Sequence, residues 1–367
     1  MNTHKKRTSL VAREEVTMKD VAKEAKVSLM TVWRVLNGED NVKEVTKQKV
    51  QQAAERINYT LNIGARQLAG TQSYQLLFLY SQGNVGWRGE VVIGMLKGVR
   101  KFGYQLLIES VEEVAKASLS HPYEKFDVES VKHLFEKPQF DGVVLIPDIC
   151  YEEDILNLIR KANIPCVRLS ERPQAGIVPR VSIDNFSSTY DMVSYLISLN
   201  HKKIAIIAGP KNHYESDIRF DGYKAAMKDA GLAVNDDWAR AGSWDVKSGA
   251  QIGFSLLKKT DRPTAIYACS DDMAAGVISA AQQLGLKVPD DVSVCGNGNS
   301  PLATSIFPNL TSIEQPLNIM GETAIEILAE LIKAKKSTSS KKLNSIRYLE
   351  HKLVLRDTTA VAPTTSS

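Results

Sequence analysis

The chain has 367 residues, 43% of them hydrophobic and 24% charged, and a formal net charge of +4. That is too long for one ordinary domain, and the composition is that of a soluble globular protein. No apolar run is long enough to span a bilayer, and the basic start Met1–Arg7 leads into no continuous apolar region, so no membrane contact, no signal peptide and a cytoplasmic location are expected.

The positive charge is unevenly spread. The first 70 residues hold 13 Lys/Arg against 8 Asp/Glu, while the rest of the chain is nearly balanced. A basic head on a neutral body points to nucleic acid, although a solvated helical face can also be basic. In that head, Met18, Val21, Ala22 and Ala25 keep the 3–4 spacing of an amphipathic helix, with Thr17 as N-cap and Asp20 as its acidic partner. Ser28 can cap a second helix, Leu29–Asn37, which Asn37-Gly38 stops. A third runs from about Glu44 to Ile57, with Val45, Val50, Ala53, Ala54 and Ile57 inward.

Val32, Val35 and Leu36 make one stripe of the second helix, free to pack on Val21, Ala25 and Val27. Its other face shows Leu29, Met30, Thr31, Trp33 and Arg34. A major groove explains such a face, because Arg34 can bond a phosphate or a guanine and apolar side chains can meet thymine methyls. Packing of Trp33 on another domain is the structural alternative.

These residues resemble a known family. Thr17-Met18-Lys19-Asp20-Val21-Ala22-Lys23-Glu24-Ala25, then Val27-Ser28, Thr31-Val32 and Arg34-Val35-Leu36-Asn37-Gly38, resemble the head of the lac repressor/purine repressor family. The likeness runs through Asn58-Tyr59 into Ala65-Arg66-Gln67-Leu68-Ala69-Gly70-Thr71, which resembles that family's hinge helix. The resemblance implies DNA contacts from Thr17, Ser28, Leu29, Met30, Thr31, Trp33, Arg34, Asn37, Tyr59, Asn62, Ala65 and Leu68. Leu29 and Met30 would read bases, and Leu68 would wedge into the minor groove. Four positions depart from the pattern. Lys26 stands where the family has glycine, so a non-glycine residue is expected at positive φ. Trp33 replaces a small residue, and Thr60-Leu61 replace a pair with proline. Gly64 lies inside the hinge, lowering its helicity by about 1 kcal/mol relative to alanine; a hinge this weak should fold only on DNA.

From Tyr74 short apolar runs alternate with helical stretches. Strands are predicted at Gln75–Tyr80, Gln105–Glu109, Gly142–Ile146, Pro165–Leu169, Val181–Ile183, Lys203–Ala208, around Arg240, at Ala265–Cys269 and at Val292–Cys295. Helices are predicted at Val91–Phe102, Val128–Phe135, Asp154–Lys161, Ser187–Leu199, Arg219–Ala230, Lys247–Leu257 and Met273–Gln283. The alternation predicts parallel sheets with helices on both faces, in two Rossmann-like lobes that bind ligand where strands end. The fold class is therefore a small all-α helix-turn-helix head on a two-lobed α/β core. Four well-separated cysteines suggest buried thiols, and neither a metal nor a cofactor is expected. Six scattered histidines and the lack of G-x-S-x-G, H-E-x-x-H or a Walker loop speak against an enzyme. Gly296-x-Gly298 lacks the third glycine and the context of a dinucleotide fingerprint.

The core also resembles that family, through Asp141-Gly142-Val143-Val144, Val181-Ser182-Ile183-Asp184-Asn185, Arg219-Phe220-Asp221-Gly222-Tyr223, Ser270-Asp271-Asp272-Met273 and Pro308-Asn309-Leu310-Thr311. The fold is shared with periplasmic sugar-binding proteins. The implied organisation is a head at 17–61, a hinge at 62–73, a core at 74–360 and a disordered tail at 361–367. Within the core the N-lobe takes about 74–174 and 305–334, and the C-lobe about 175–304 and 345–358. Arg219 matches the effector-binding arginine, and its planar fork suits paired hydroxyls or a carboxylate. Trp244 matches an aromatic that covers a sugar face, with lobe packing as its structural alternative. Ser270 and Asp271 could accept from hydroxyls, although Asp271 could instead cap the Met273 helix. Arg168 could point into the crevice. Gly298 stands where the family has an aspartate, and Asn299 could take over part of its role. The implied partners are a pseudo-palindromic double-stranded DNA operator, a mono- or oligosaccharide effector and a second copy of the chain. A non-sugar ligand, nucleobase or acidic, acting as corepressor is the alternative.

Overall fold

Met18–Ala25 (α1), Leu29–Leu36 (α2) and Glu44–Arg56 (α3) build the first of two compact units, Met1–Gln72; the second is Ser73–Ser367. The molecule is seen as a computed structural model that describes residues 16–36, 42–57, 59, 72–81, 85–111, 113–114, 125–147, 149–173, 179–211, 213–336 and 346–363. The Asp20 carboxylate accepts from the Thr17 backbone N–H at 2.8 Å and from its hydroxyl at 2.7 Å, closing the first turn of α1. Lys26 ends that helix in the left-handed region at φ 52°. Ser28 Oγ accepts from the Thr31 N–H at 3.1 Å and so opens α2. Val21, Val32 and Val50, one from each helix, are wholly buried and with Ala25, Val35 and Ala53 form the core of the head. Each buried valine contributes about 1.5–3 kcal/mol, which is most of what so small a unit has to close it. Val45, expected inward, is 78% exposed. The hinge helix and the residues Asn37, Asn62, Ala65 and Leu68 lie outside the described residues.

The second unit begins with β1 (Gln75–Ser81), α4 (Val85–Phe102), β2 (Gln105–Val111), the short pair β3 (Glu113–Val114) and β4 (Lys125–Phe126), α5 (Val128–Glu136), β5 (Gly142–Leu145), α6 (Glu153–Lys161), β6 (Cys166–Arg168) and β7 (Arg180–Ile183). It continues with α7 (Asn185–Ser198), β8 (Ile204–Ala208), α8 (Tyr214–Asp229), β9 (Ala239–Ala241), α9 (Val246–Leu257), β10 (Ala265–Ala268), α10 (Asp271–Gln283), β11 (Ser293–Gly298) and α11 (Leu302–Ser305). Last come β12 (Thr311–Glu314), α12 (Leu317–Lys336), β13 (Ile346–Leu349) and β14 (Lys352–Val354). Among the described residues, one sheet runs β13-β7-β6-β5-β1-β2 and the other β14-β12-β11-β10-β8-β9. All pairings in these two sheets are parallel except that of β12 with β14. Strands such as Gly142–Leu145 and Ala265–Ala268 are buried at every position, as parallel strands covered on both faces must be. Each sheet carries its own hydrophobic core, and Asp127, Asp184, Asp245 and Ser270 cap the helices that cover them.

The two-lobed architecture is as expected, but the lobe boundaries are not. β7, expected in the C-lobe, pairs with β6 and β13 in the N-lobe sheet. β12, expected to return to the N-lobe, stays in the C-lobe sheet beside β11, and β13 belongs to the N-lobe. The chain therefore crosses between lobes after Ile183, after Glu314 and after Leu349. A short strand such as Arg180–Ile183 carries no local mark of the sheet it joins, so non-local pairing decides. Of the expected tail at 361–367, residues 364–367 lie outside the described residues, while the start of it is tied down. Ala362 N–H donates to Leu199 O at 2.8 Å, and the Ala360 carbonyl lies 3.0 Å from His201 Nε2. Among the described residues, no helix is long and apolar enough to cross a membrane.

Candidate functional site

In the head, α2 buries Val32 and Val35 and turns its other side outward. Leu29 is 44% exposed, Met30 57% and Trp33 38%, and Arg34 is exposed beside them. Burying Val32 and Val35 against α1 and α3 fixes the helix rotation and so fixes this outward set. Thr31 is half-buried, and Ser28 and Thr31 hydroxyls lie 2.8 Å apart at the helix start. Tyr59 is half-buried against the head core, and its N–H donates to Ala54 O at 2.8 Å. Three large apolar side chains kept in water on an eight-residue helix are unfavourable unless a partner covers them. Arg34→Ala should weaken binding to the preferred DNA sequence by about 1–3 kcal/mol if the guanidinium reads a base. Titration of specific and scrambled duplexes checks this, since a phosphate contact would lower both affinities equally.

A candidate site in the core lies where the strand order reverses, the place where such sheets bind ligands. In the C-lobe sheet that point lies between β8 and β10, whose ends lead into Gly209 and Cys269. Arg219, in the second turn of α8, is 7% exposed. Its Nε donates to Asn185 Oδ1 at 2.9 Å, and a terminal nitrogen donates to Cys269 O at 2.8 Å. Trp244 holds a left-handed backbone at φ 63°, which costs a non-glycine residue about 1–3 kcal/mol. Its indole packs against Gly209, where a Cβ would come within 1.9 Å of ring atom Cζ2. The Arg219 guanidinium is 5.7 Å from that ring, and His213 meets it edge-on at 5.3 Å. A half-buried aromatic wall beside a fixed guanidinium can stack an apolar sugar face and donate to its hydroxyls.

The other expected ligands divide. Arg168 ends β6 and is 2% exposed. Ser270 caps α10, its Oγ accepting from Met273 N–H at 3.1 Å, one residue after the carbonyl that Arg219 grips. Asp271 is not that cap. Its carboxylate accepts from Ser300 N–H at 2.6 Å and from Ser312 hydroxyl at 2.5 Å, and Gly296 leaves it the room. Burial pushes this carboxyl above the usual range. Asn299 is likewise engaged elsewhere, accepting from Arg356 at 2.6 Å and donating to Glu314 at 3.1 Å. Both side chains tie the turn after β11 to its own lobe.

Several further residues beside this site were not assigned a role from the sequence. Asn185, 2% exposed, donates its amide to Glu171 Oε2 at 2.9 Å while accepting from Arg219. Asn297 donates to Tyr267 hydroxyl at 2.8 Å and accepts from Gln315, which in turn accepts from Trp87 of α4 at 3.4 Å. Glu215 lies one turn before Arg219. It was hidden because α8 begins at Tyr214, five residues before the predicted start. All four cysteines are buried and free, and burial pushes the Cys269 thiol up to about 11.

Residues 17–62 match the model of bacterial regulatory proteins of the lacI family, and residues 193–359 match a periplasmic binding protein-like domain. The chain is 31% identical to catabolite control protein A of Priestia megaterium over 351 residues, covering 94% of this chain and 99% of that one. The lac repressor dimer bound to operator and the anti-inducer ONPF superposes with a TM-score of 0.68 at 26% identity, covering 95% of this chain and all of that one. The complex of the transcriptional regulator CelR with cellobiose gives a TM-score of 0.68 at 25% identity, covering 94% and 99%.

Proposed function

Because this chain belongs to the lacI family of bacterial regulatory proteins, we propose that it represses carbohydrate uptake and catabolism genes under the control of a sugar or sugar-derived effector. It is a DNA-binding transcriptional regulator, not an enzyme, as its relatives are. The observation that carries the sugar reading is the indole of Trp244, held against Gly209 at a strained φ beside the buried Arg219 fork. The cellobiose complex of a relative supports it. Leu29, Met30, Trp33 and Arg34 would read the operator, aided by Thr17, Ser28, Thr31, Asn37 and Tyr59, with Asn62, Ala65 and Leu68 acting from the hinge. The site of action is the cytoplasm.

Calorimetry of the full chain against mono- and oligosaccharides, sugar acids and nucleobases tests the reading. Saturable binding of a saccharide that lowers operator affinity is the expected result. Binding of nucleobases alone would overturn it. An acidic ligand is the second reading, favoured by the two neutral acceptors that Arg219 holds among the described residues, which leave its charge for a ligand to balance.

We also propose a homodimer, since a single short head reads too little DNA for useful specificity. Ile93 and Leu96 lie one turn apart on α4 and are 46% and 38% exposed, and Phe307 of the C-lobe is 85% exposed. Sedimentation at micromolar concentration should show a dimer, and Ile93→Asp with Leu96→Asp should shift it toward monomer. A wild-type chain that sediments only as monomer, with and without DNA, would refute this.

A further inference from the structure

The lobes of the core are joined by more than the three crossovers. Glu215 stands in the first turn of α8, in the C-lobe, and is 5% exposed. Every hydrogen-bond donor described for its carboxylate comes from the N-lobe. The Tyr151 hydroxyl lies 2.7 Å from both carboxylate oxygens. Ser170 hydroxyl donates to Oε1 at 2.7 Å, and the Glu171 N–H reaches the same oxygen at 3.3 Å. Tyr151 and Ser170 hydroxyls are themselves 2.7 Å apart. On the C-lobe side, His213 Nδ1 is 3.4 Å away. Beside this cluster the Arg172 guanidinium lies 4.9 Å from the Tyr151 ring and 5.9 Å from that of Tyr214, so a cation from one lobe stacks on aromatics of both.

We propose that Glu215, Tyr151 and Ser170 form an inter-lobe clasp that holds the two lobes together before any ligand enters. A buried carboxylate must be hydrogen-bonded to be tolerated, and here satisfaction requires the other lobe. Parting the lobes strips the charge of its short donors. The clasp therefore couples lobe opening to exposure of a carboxylate, and biases the core toward the arrangement a cleft ligand would select. Tyr151 is kept as a donor, because burial and then the charge of Glu215 push its hydroxyl up well beyond the usual range. Glu215 acts as a positioning residue, one helical turn from the Arg219 that would touch ligand. The regulatory consequence rests on the cleft being the effector site; the clasp itself does not.

Because all four native cysteines are buried, spin labels on Glu136→Cys in the N-lobe and Lys228→Cys in the C-lobe can report the lobe separation in the full chain. Labelled protein is mixed with excess unlabelled chain so that only distances within one molecule are read. Without ligand, the clasped protein should give one narrow distance. Tyr151→Phe with Ser170→Ala, and separately Glu215→Gln, should add a longer component populated at least tenfold above wild type. A broad wild-type distribution, or one that neither variant changes, would overturn the clasp. If Glu215→Gln fails to fold, the Tyr151 and Ser170 pair decides alone, since it leaves the buried carboxylate in place. Longer distances that leave operator affinity unchanged would overturn the regulatory reading while sustaining the clasp.

Discussion

Arg219→Ala is expected to lower effector affinity at least a hundredfold and to destabilise the ligand-free core. Two charge-assisted hydrogen bonds to ligand at about 1.5–3 kcal/mol each supply that factor. The stability cost has a separate origin. Without the guanidinium, Asn185 Oδ1 and the Cys269 carbonyl lose their donors at 2.9 and 2.8 Å, and each orphaned acceptor costs about 1–3 kcal/mol. Removing a buried charge that rests on neutral acceptors returns part of this, so a net loss of about 2 kcal/mol is expected. Arg219→Lys separates the two effects, because it keeps the charge but cannot span both acceptors and a ligand. Calorimetry and denaturant titration of the three proteins check it. Full ligand affinity in Arg219→Ala would remove Arg219 from the site.

Gly209→Ala is expected to be nearly as damaging, although it adds one methyl group. The new Cβ would lie 1.9 Å from Trp244 Cζ2 and 2.5 Å from Ser216 Oγ. The indole has little freedom to retreat, because Asp245, the next residue, caps α9 through a 2.6 Å bond to Ser248 N–H. Either the ring swings into the cleft or the strand end moves. Overpacking of this kind costs about 1–3 kcal/mol, and a displaced Trp244 should cost tenfold or more in ligand affinity. In a Trp244→Ala background the same substitution should add little, so the pair should couple strongly in a double-mutant cycle. Additive losses would show that the close approach does not control the site.

Much of this was legible in the sequence because it is written locally. The 3–4 spacing of Val21, Ala22 and Ala25 and the cap at Thr17 define α1 without reference to anything distant. The apolar stripe of Val32 and Val35 likewise dictates which residues of α2 face outward. Arg219 and Trp244 were visible as family positions, and Lys26 as a left-handed turn residue. The alternation of short apolar runs with helical stretches was enough for two parallel sheets. Such patterns depend on neighbours within about one helical turn, or on the two faces of one strand.

What only the tertiary structure decided depends on residues far apart in the chain. Whether Val181–Ile183 joins one lobe or the other is a choice of pairing partner, and β13, its partner, lies more than 150 residues later. Asp271 had the sequence of a helix cap, yet hydroxyl and amide donors from Ser312 and Ser300 drew its carboxylate across the lobe. Asn299 was drawn off by Arg356 in the same way. Glu215 lay outside the helix predicted from Arg219, so no local pattern singled it out. Its donors, Tyr151 and Ser170, come from the opposite lobe. A polar side chain in a cleft bonds to whichever partner the fold brings within about 3 Å, and short-range sequence patterns hold no record of that partner.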